Sequence, residues 1–218
     1  MNKQGATMQF TAETVWACAA AAQRINDGYY KEDKWEVVND QARKVSDANK
    51  VMVKAWLRDQ DYSQITAADI TAGQTARNHF KSYTFLAIAG RLNEFQETAM
   101  KLAAKEEFTG RDMYDFAVIS CLPSVAVRDA ANSELKREIY TSEQLQGAVG
   151  DTIVGDITVI SARFNPDYAK HKITARMGES FVDFWFSKEL EGTVRVKGKI
   201  KTQRGNKTTQ LNYVKISG

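Results

Sequence analysis

The spacing of apolar residues changes from a helical to a strand period near residue 150, and this change constrains the fold more than any other feature. Up to about residue 145, apolar side chains recur every three to four residues, as on one face of a helix. After Gly150 they alternate with polar residues. We therefore expect an α+β protein with a helical N-terminal region over residues 1–149 and a β-domain over residues 150–218.

The N-terminal region contains recurrent helix-start signals. Three of these signals pair a side chain that caps a helix with an acidic or amide residue three positions later. The signal nearest the N-terminus is a single capping threonine. The segment 65–80 also has the spacing of a helix-turn-helix, with Gly73 at the turn. Gly73 equally fits a tolerated helix glycine or a close contact between helices. The start signals are Thr11, Thr66 with Asp69, Asn93 with Gln96, and Thr109 with Asp112.

The C-terminal region contains five short runs of alternating residues, which predict five antiparallel strands. Gly178-Glu179 is a two-residue connection with glycine first, as a type II′ hairpin turn prefers. Residues 204–207 supply a second plausible turn. Five strands in about 70 residues fit a small closed barrel better than a sandwich. The predicted strands are 152–164, 170–177, 180–187, 192–203 and 208–216.

The Gly178-Glu179 turn fixes which side chains share a side of the hairpin, because strand residues alternate between two faces. One face is apolar and suits a core: Ile173, Ala175, Val182, Phe184 and Phe186. The other face is expected to point outward: Lys172, Thr174, Arg176, Phe181, Asp183 and Trp185. The next strand has the same division, and its outward residues are Arg195, Lys197, Lys199 and Lys201.

This outward surface combines cations with two flat rings, and single-stranded nucleic acid requires that combination. Cations track the phosphates, and each base that stacks on an exposed ring contributes about 1–3 kcal/mol. Double-stranded DNA would not explain the rings, because its bases are already stacked. We therefore predict that Phe181 and Trp185 stack on bases. The predicted phosphate contacts are Lys172, Arg176, Arg195, Lys197, Lys199 and Lys201. A solvated strand face, with the two rings buried elsewhere, is the competing interpretation.

The charge of the chain divides at the same place as its periodicity. Residues 151–218 carry a net charge of +5, whereas the preceding 150 residues carry −2. The overall charge of +3 therefore hides a basic β-domain beside a slightly acidic helical region. A membrane surface would require a denser basic cluster or an amphipathic helix, so we expect no membrane partner.

Four segments of the C-terminal region resemble an OB-fold, the five-stranded barrel that commonly binds oligonucleotides. They are GDITVISARF at 155–164, KITARMGESFVDFWFS at 172–187, VRVKGKIKTQ at 194–203 and TTQLNYVKI at 208–216. The last two are similar to the closing strands of OB domains in bacteriophage replication and recombination proteins. The resemblance covers about 70 residues and implies binding of single-stranded DNA, favoured over RNA, in replication or recombination.

One departure from that resemblance concerns the C-terminus. Bacterial and many phage single-stranded-DNA-binding proteins finish in an acidic tail that recruits partners, whereas this chain finishes Tyr-Val-Lys-Ile-Ser-Gly. The departure argues against a general role at replication forks. Together with the large helical region, it motivates an alternative: a protein-interaction module, for example a phage factor that binds and redirects a host protein. The sequence leaves the oligomeric state open.

Catalytic and metal-binding signatures are missing from the sequence. There is no phosphate loop, nucleophile motif or ligase lysine signature, and His79 and His171 lie far apart. Cys18 and Cys121 have apolar neighbours and no CxxC spacing, as is typical of reduced core thiols. The apolar run 15–22 is too short for a signal peptide. We expect a cytoplasmic protein, in the host cytoplasm if phage-encoded, that is not an enzyme and has no cofactor.

Overall fold

The computed structural model describes residues 8–203 and 207–217, and these residues form both helices and strands. The chain divides into two compact units, residues 1–130 and 131–218. The helices are α1 (Ala12–Ile25), α2 (Asn49–Asp59), α3 (Ala67–Lys81), α4 (Thr84–Ile88), α5 (Glu94–Ala104), α6 (Met113–Ile119) and α7 (Leu122–Thr141). The strands are β1 (Gln9–Thr11), β2 (Lys34–Val38), β3 (Gln41–Ser46), β4 (Glu107–Thr109), β5 (Thr152–Asn165), β6 (Lys170–Met177), β7 (Ser180–Phe186), β8 (Thr193–Gln203) and β9 (Thr208–Ser217). The unit boundary falls inside α7, whereas the change of periodicity marks the start of β5.

Capping side chains begin three of the helices where the sequence predicts. The Thr11 hydroxyl accepts a hydrogen bond from the Thr14 amide at 3.2 Å and caps α1. Reciprocal capping boxes open α3, with Thr66 and Asp69, and α5, with Asn93 and Gln96. Each cap satisfies backbone amides that the first helical turn leaves without a partner.

Helix α1 forms the centre of the first unit, and α3 packs closely against it. Val15, Trp16 and Cys18 of α1 are fully buried among small alanines. A Cβ atom at Gly73 would lie 2.6 Å from the carbonyl carbon and oxygen of Trp16. Gly73 is therefore the site of a close contact between helices. The helix-turn-helix interpretation is wrong, because α3 continues through this residue without a turn.

The prediction of a helical region over residues 1–149 is only partly correct, because the first unit also contains four strands among its described residues. Strands β1 and β4 form a two-stranded antiparallel pair, and β2 and β3 form a hairpin. Asn39 and Asp40 connect β2 to β3 with φ values of +51° and +59°. These left-handed conformations are those of a type I′ turn, which Asn and Asp tolerate. The hairpin therefore has a local signal that the helical reading of residues 1–149 overlooked.

The five strands of the second unit close into a barrel in the order β5-β6-β7-β9-β8, with β5 pairing to β8. The pairing of β7 with β9 is parallel and the other four pairings are antiparallel. The expectation of an antiparallel barrel is thus correct only in part. A ring of five strands cannot alternate in direction throughout, so one neighbouring pair has to run parallel. The mixed α+β class and the closed five-stranded barrel are confirmed.

The predicted hairpin register is confirmed residue by residue. Met177 lies opposite Ser180, Arg176 opposite Phe181, and Lys172 opposite Trp185. Gly178 adopts a φ of +57°, the left-handed value that the first turn position requires. The face predicted as core is buried, with Phe186 partly so, and it packs with Ile157, Val196, Ile200 and Leu211 inside the barrel. Of the second predicted turn, residues 204–206 lie outside the described residues.

Within the described residues, no helix is both long and apolar enough to cross a membrane.

Candidate nucleic-acid interface

Closure of the barrel divides the predicted binding residues between two surfaces. Strand β8 pairs with β5 and β9, and it pairs with neither β6 nor β7. Arg195, Lys197, Lys199 and Lys201 are therefore not on the surface that carries Lys172, Arg176, Phe181 and Trp185. The sequence-based assumption of one continuous face is wrong. In the closed barrel, β5 lies between β6 and β8, and β9 lies between β7 and β8.

Phe181 does not lie on an accessible surface. Its side chain is 1% exposed, so the prediction that it stacks on bases is wrong. The Arg176 guanidinium covers the ring at 4.9 Å from its centroid. That guanidinium is in turn held by the Glu138 carboxylate of α7 at 2.6 Å. Alternation places Phe181 on the outer side of the strand, but a cation and its carboxylate partner cover the ring there.

Trp185 is partly exposed and has a second ring beside it. Tyr168, in the loop between β5 and β6, is 65% exposed, and its ring centroid lies 5.2 Å from that of Trp185. Trp185 faces Lys172 across the hairpin, and Lys172 faces Arg163 on β5. Arg163, Lys172 and Trp185 thus form a row across three neighbouring strands. We call these three residues, with Tyr168, the stacking face.

Arg163 and Tyr168 are not among the contacts predicted from the sequence. The register between β5 and β6 could have placed Arg163 beside Lys172, but it depends on a bulge in β5 between Val159 and Ser161. The position of Tyr168 depends on the conformation of a four-residue loop, where Ala169 adopts a φ of +47°. Neither feature has a distinct sequence pattern. Tyr168 itself could have been noted as an aromatic residue in a turn.

The cations of the stacking face are loosely held. The Lys172 ammonium lies 3.6 Å from the Asp183 carboxylate, and its side chain remains 44% exposed. Arg163 donates a hydrogen bond at 2.8 Å to the neutral Asn132 side chain of α7. The Asp183 side chain is only 5% exposed, but at 3.6 Å its contact with Lys172 is longer than a charge-assisted hydrogen bond. An ammonium group has three donors and a guanidinium group has five, so both cations have donors beyond these contacts for a phosphate. Arg176 differs from these two cations, because it pairs closely with Glu138 and lies over the Phe181 ring. Its guanidinium is therefore less accessible to a phosphate.

The second surface is the outer side of β8 with the adjacent residue of β9, and we call it the lysine face. It consists of Arg195, Lys197, Lys199, Lys201 and Lys215, which are all exposed. Arg195 has a carboxylate partner, Asp156, at 3.3 Å. No ion pair of the four lysines occurs between described residues. Lys197 and Lys215 lie directly opposite each other on neighbouring strands, a like-charge arrangement that destabilises a sheet unless an anion neutralises it.

The remaining candidates for chemistry have structural environments. His79 lies 3.1 Å from the Tyr83 hydroxyl, which donates to the Asp129 carboxylate at 3.0 Å. Burial and the hydrogen bond to Asp129 raise the pKa of Tyr83 to about 12. His171 lies opposite Phe186 at the end of its strand, as predicted. The described part of the chain contains no group of three or more His, Cys, Asp or Glu side chains that could hold a metal ion.

Both cysteines are free thiols. Burial raises the pKa of Cys18 to about 12 and also raises that of Cys121. A thiol with a raised pKa is a poor nucleophile and a poor metal ligand at neutral pH.

Comparison of the chain with protein-family models, with curated proteins and with solved structures gave no match. The closed five-stranded barrel is compatible with an OB-fold. A shared fold would not by itself assign a function, whereas the two surfaces of the barrel have specific chemistry.

Proposed function

We propose that the barrel unit binds single-stranded nucleic acid, DNA in preference to RNA, and that it is a phage-type protein of replication or recombination. The observation that carries the proposal is the stacking face, where two rings lie next to two weakly held cations. Unpaired bases stack on such rings, and cations alongside contact the phosphates. The proposal involves no enzymatic step and no cofactor, and it places the protein in the cytoplasm.

The place of the stacking face on the barrel supports this proposal. OB-folds bind oligonucleotides on their second and third strands and with the loop between the first and second strands. The corresponding elements here are β6, β7 and residues 166–169. Trp185 and Lys172 lie on those strands, and Tyr168 lies in that loop.

The lysine face extends the proposed phosphate contacts to another side of the barrel. Tyr213 on β9 is 78% exposed, but among the described residues its ring contacts no second ring as Tyr168 contacts Trp185, so we propose that this face contributes mainly phosphate contacts. Arg176 contributes only if Glu138 is displaced, because the two side chains are hydrogen-bonded in this conformation. We therefore propose Lys172, Arg163, Trp185 and Tyr168 as the main contacts.

Titration of a labelled single-stranded oligonucleotide at several salt concentrations tests this proposal. Each phosphate contact contributes about −0.7 to the slope of log K against log salt for a single strand. Lys172→Gln and Arg163→Gln should each make the slope less steep by about that amount. Lys101→Gln is the matched control, since Lys101 is an exposed lysine of the first unit with a side chain 73% exposed. Lack of binding by the wild-type chain at low salt would refute the proposal.

A second candidate function, a protein-interaction module, is favoured by the surface of α4. Phe85 and Ile88 on this short helix are 79% and 81% exposed, and Leu86 beside them is 40% exposed. Adjacent exposed apolar side chains of this size are typical of protein-binding sites. Capture from a nuclease-treated bacterial lysate distinguishes the two functions. A stoichiometric partner that is retained by the wild-type chain and lost with Phe85→Ser would favour the interaction module.

A further inference from the structure

The β2–β3 hairpin of the first unit is exposed along almost its whole length. All five residues of β2 and the first five of β3 are exposed. Trp35 is 58% exposed, and Val37 is 76% exposed. A two-stranded hairpin alone is at best marginally stable in water, and it becomes stable when further strands or a packed layer cover its apolar residues.

The base of this hairpin is firmly anchored in the first unit. The Asp33 carboxylate accepts a hydrogen bond from the Ala48 amide at 2.9 Å and pairs with Lys44 at 2.8 Å. The Ser46 hydroxyl donates to the Asn26 side chain, which is buried. The hairpin is therefore held in one place at its base while its strands remain uncovered.

Within residues 8–203 and 207–217, β3 is the only strand that pairs with β2, so the outer edge of β2 presents backbone groups at alternate residues. In a two-residue hairpin the pair next to the turn, Val38 and Gln41, exchanges both of its hydrogen bonds. Alternation then turns the N–H and C=O groups of Val37 and Trp35 toward the free edge. The register shift in this hairpin leaves Val45 as the extra residue on β3, so β2 itself is regular.

The sequence of β2 around Trp35 is complementary to itself. In an antiparallel pairing centred on Trp35, each Lys34 lies opposite the Glu36 of the other copy. The two Trp35 residues lie opposite each other, and their backbone groups are those that face the free edge. Exposed edge strands usually carry charges that oppose self-pairing, but here the charges on the two copies attract.

We propose that β2 pairs with β2 of a second copy of this chain, which joins the two hairpins into a four-stranded antiparallel sheet. The pairing is isologous, so one two-fold axis passes through the Trp35 pair and the assembly closes as a dimer. Trp35 and Val37 of both copies then lie side by side on one face of that sheet. This proposal concerns the first unit and does not depend on nucleic-acid binding by the barrel.

A charge exchange tests this pairing on the full chain freed of nucleic acid. The mass in solution is measured by sedimentation at protein concentrations up to roughly 100 μM, where even modest association free energies populate a dimer. The wild-type chain should form dimers. Glu36→Lys alone places lysines opposite lysines and Lys34→Glu alone places glutamates opposite glutamates, so each should be monomeric. An equimolar mixture of these two variants should form dimers again, because their β2 strands then carry opposite charges.

The alternatives give different results in the same experiment. Lys101→Glu, a charge reversal on α5, is the control and should dimerise like the wild type. Unchanged far-ultraviolet circular dichroism of both β2 variants would show that they are folded. A monomeric wild-type chain, dimers of either single variant, or a mixture that stays monomeric would overturn the proposal. So would a change in oligonucleotide affinity without any change in mass, which would indicate that the hairpin contacts nucleic acid instead.

Discussion

Tyr168 provides the sharpest test of where bases stack on the barrel. Its ring is 65% exposed beside Trp185, and the predicted stacking residue Phe181 is 1% exposed. Tyr168→Ala removes one stacking surface, which is worth about 1–3 kcal/mol per base. At about 1.4 kcal/mol for each factor of ten, the dissociation constant should rise roughly 5- to 150-fold.

The same substitution should leave the barrel folded. An exposed side chain usually changes stability by less than about 0.5 kcal/mol on truncation. For a unit of this size the melting temperature should then fall by less than about 4 °C. Phe181→Ala should behave in the opposite way, because truncation of a buried phenylalanine costs about 3–5 kcal/mol of stability.

The assay is thermal melting by circular dichroism and oligonucleotide titration on the same protein preparations. Tyr114→Ala is the matched control, since Tyr114 is 75% exposed in the first unit. Phe181→Leu keeps the site apolar and should bind the oligonucleotide like the wild type. If Tyr168→Ala were folded and bound with wild-type affinity while Phe181→Leu did not, the assignment of the stacking face would be wrong.

Two further predictions concern the first unit. Gly73→Ala should lower its melting temperature, because the new Cβ atom would lie 2.6 Å from the Trp16 backbone. Such overpacking costs about 1–3 kcal/mol, which exceeds the gain of up to about 1 kcal/mol in helix propensity. Gly110→Ala, whose Cβ would meet only the Met8 Cβ at 3.7 Å, should melt like the wild type, and equal melting of both variants would contradict the close approach of α1 and α3. Burial raises the pKa of Asp69, but hydrogen bonds from Arg24 and Thr66 outweigh it and hold the pKa below its usual 3.8. Asp69→Ala should therefore lower the free energy of unfolding at neutral pH, as measured by denaturant titration. The difference from the wild type should shrink as the pH falls below 3.8, because the carboxylate is then protonated. A difference that stays constant with pH would exclude the carboxylate charge as its cause.

Local features of the fold could be predicted from the sequence because they depend on residues close together in the chain. A two-residue turn leaves only one register for β6 and β7, so every pair from Met177–Ser180 outward followed from Gly178. The capping boxes of α3 and α5 depend on two side chains three positions apart.

Long-range features could not be read in the same way. The burial of Phe181 depends on Glu138, which lies 43 positions earlier in the chain and holds the covering Arg176. Strand alternation predicts on which side of the sheet a residue lies, but it does not predict what covers that side. The separation of the lysine face from the stacking face likewise depends on β9 lying between β7 and β8.

The two surfaces of the barrel can be distinguished because cations and rings report on different quantities. The salt dependence of binding counts released counterions, and therefore phosphate contacts, wherever on the protein they occur. The loss of affinity on ring truncation measures stacking only at Tyr168 and Trp185. An oligonucleotide that engages both surfaces has to cross β5 or β9, and on β5 Asp156 already pairs with Arg195 at 3.3 Å. A short oligonucleotide seated on the rings should therefore have a smaller salt slope than a long one, with equal sensitivity to Tyr168→Ala. Equal slopes for the two lengths would mean that the lysine face is a solvated strand surface, and that the repulsion between Lys197 and Lys215 is tolerated without a ligand.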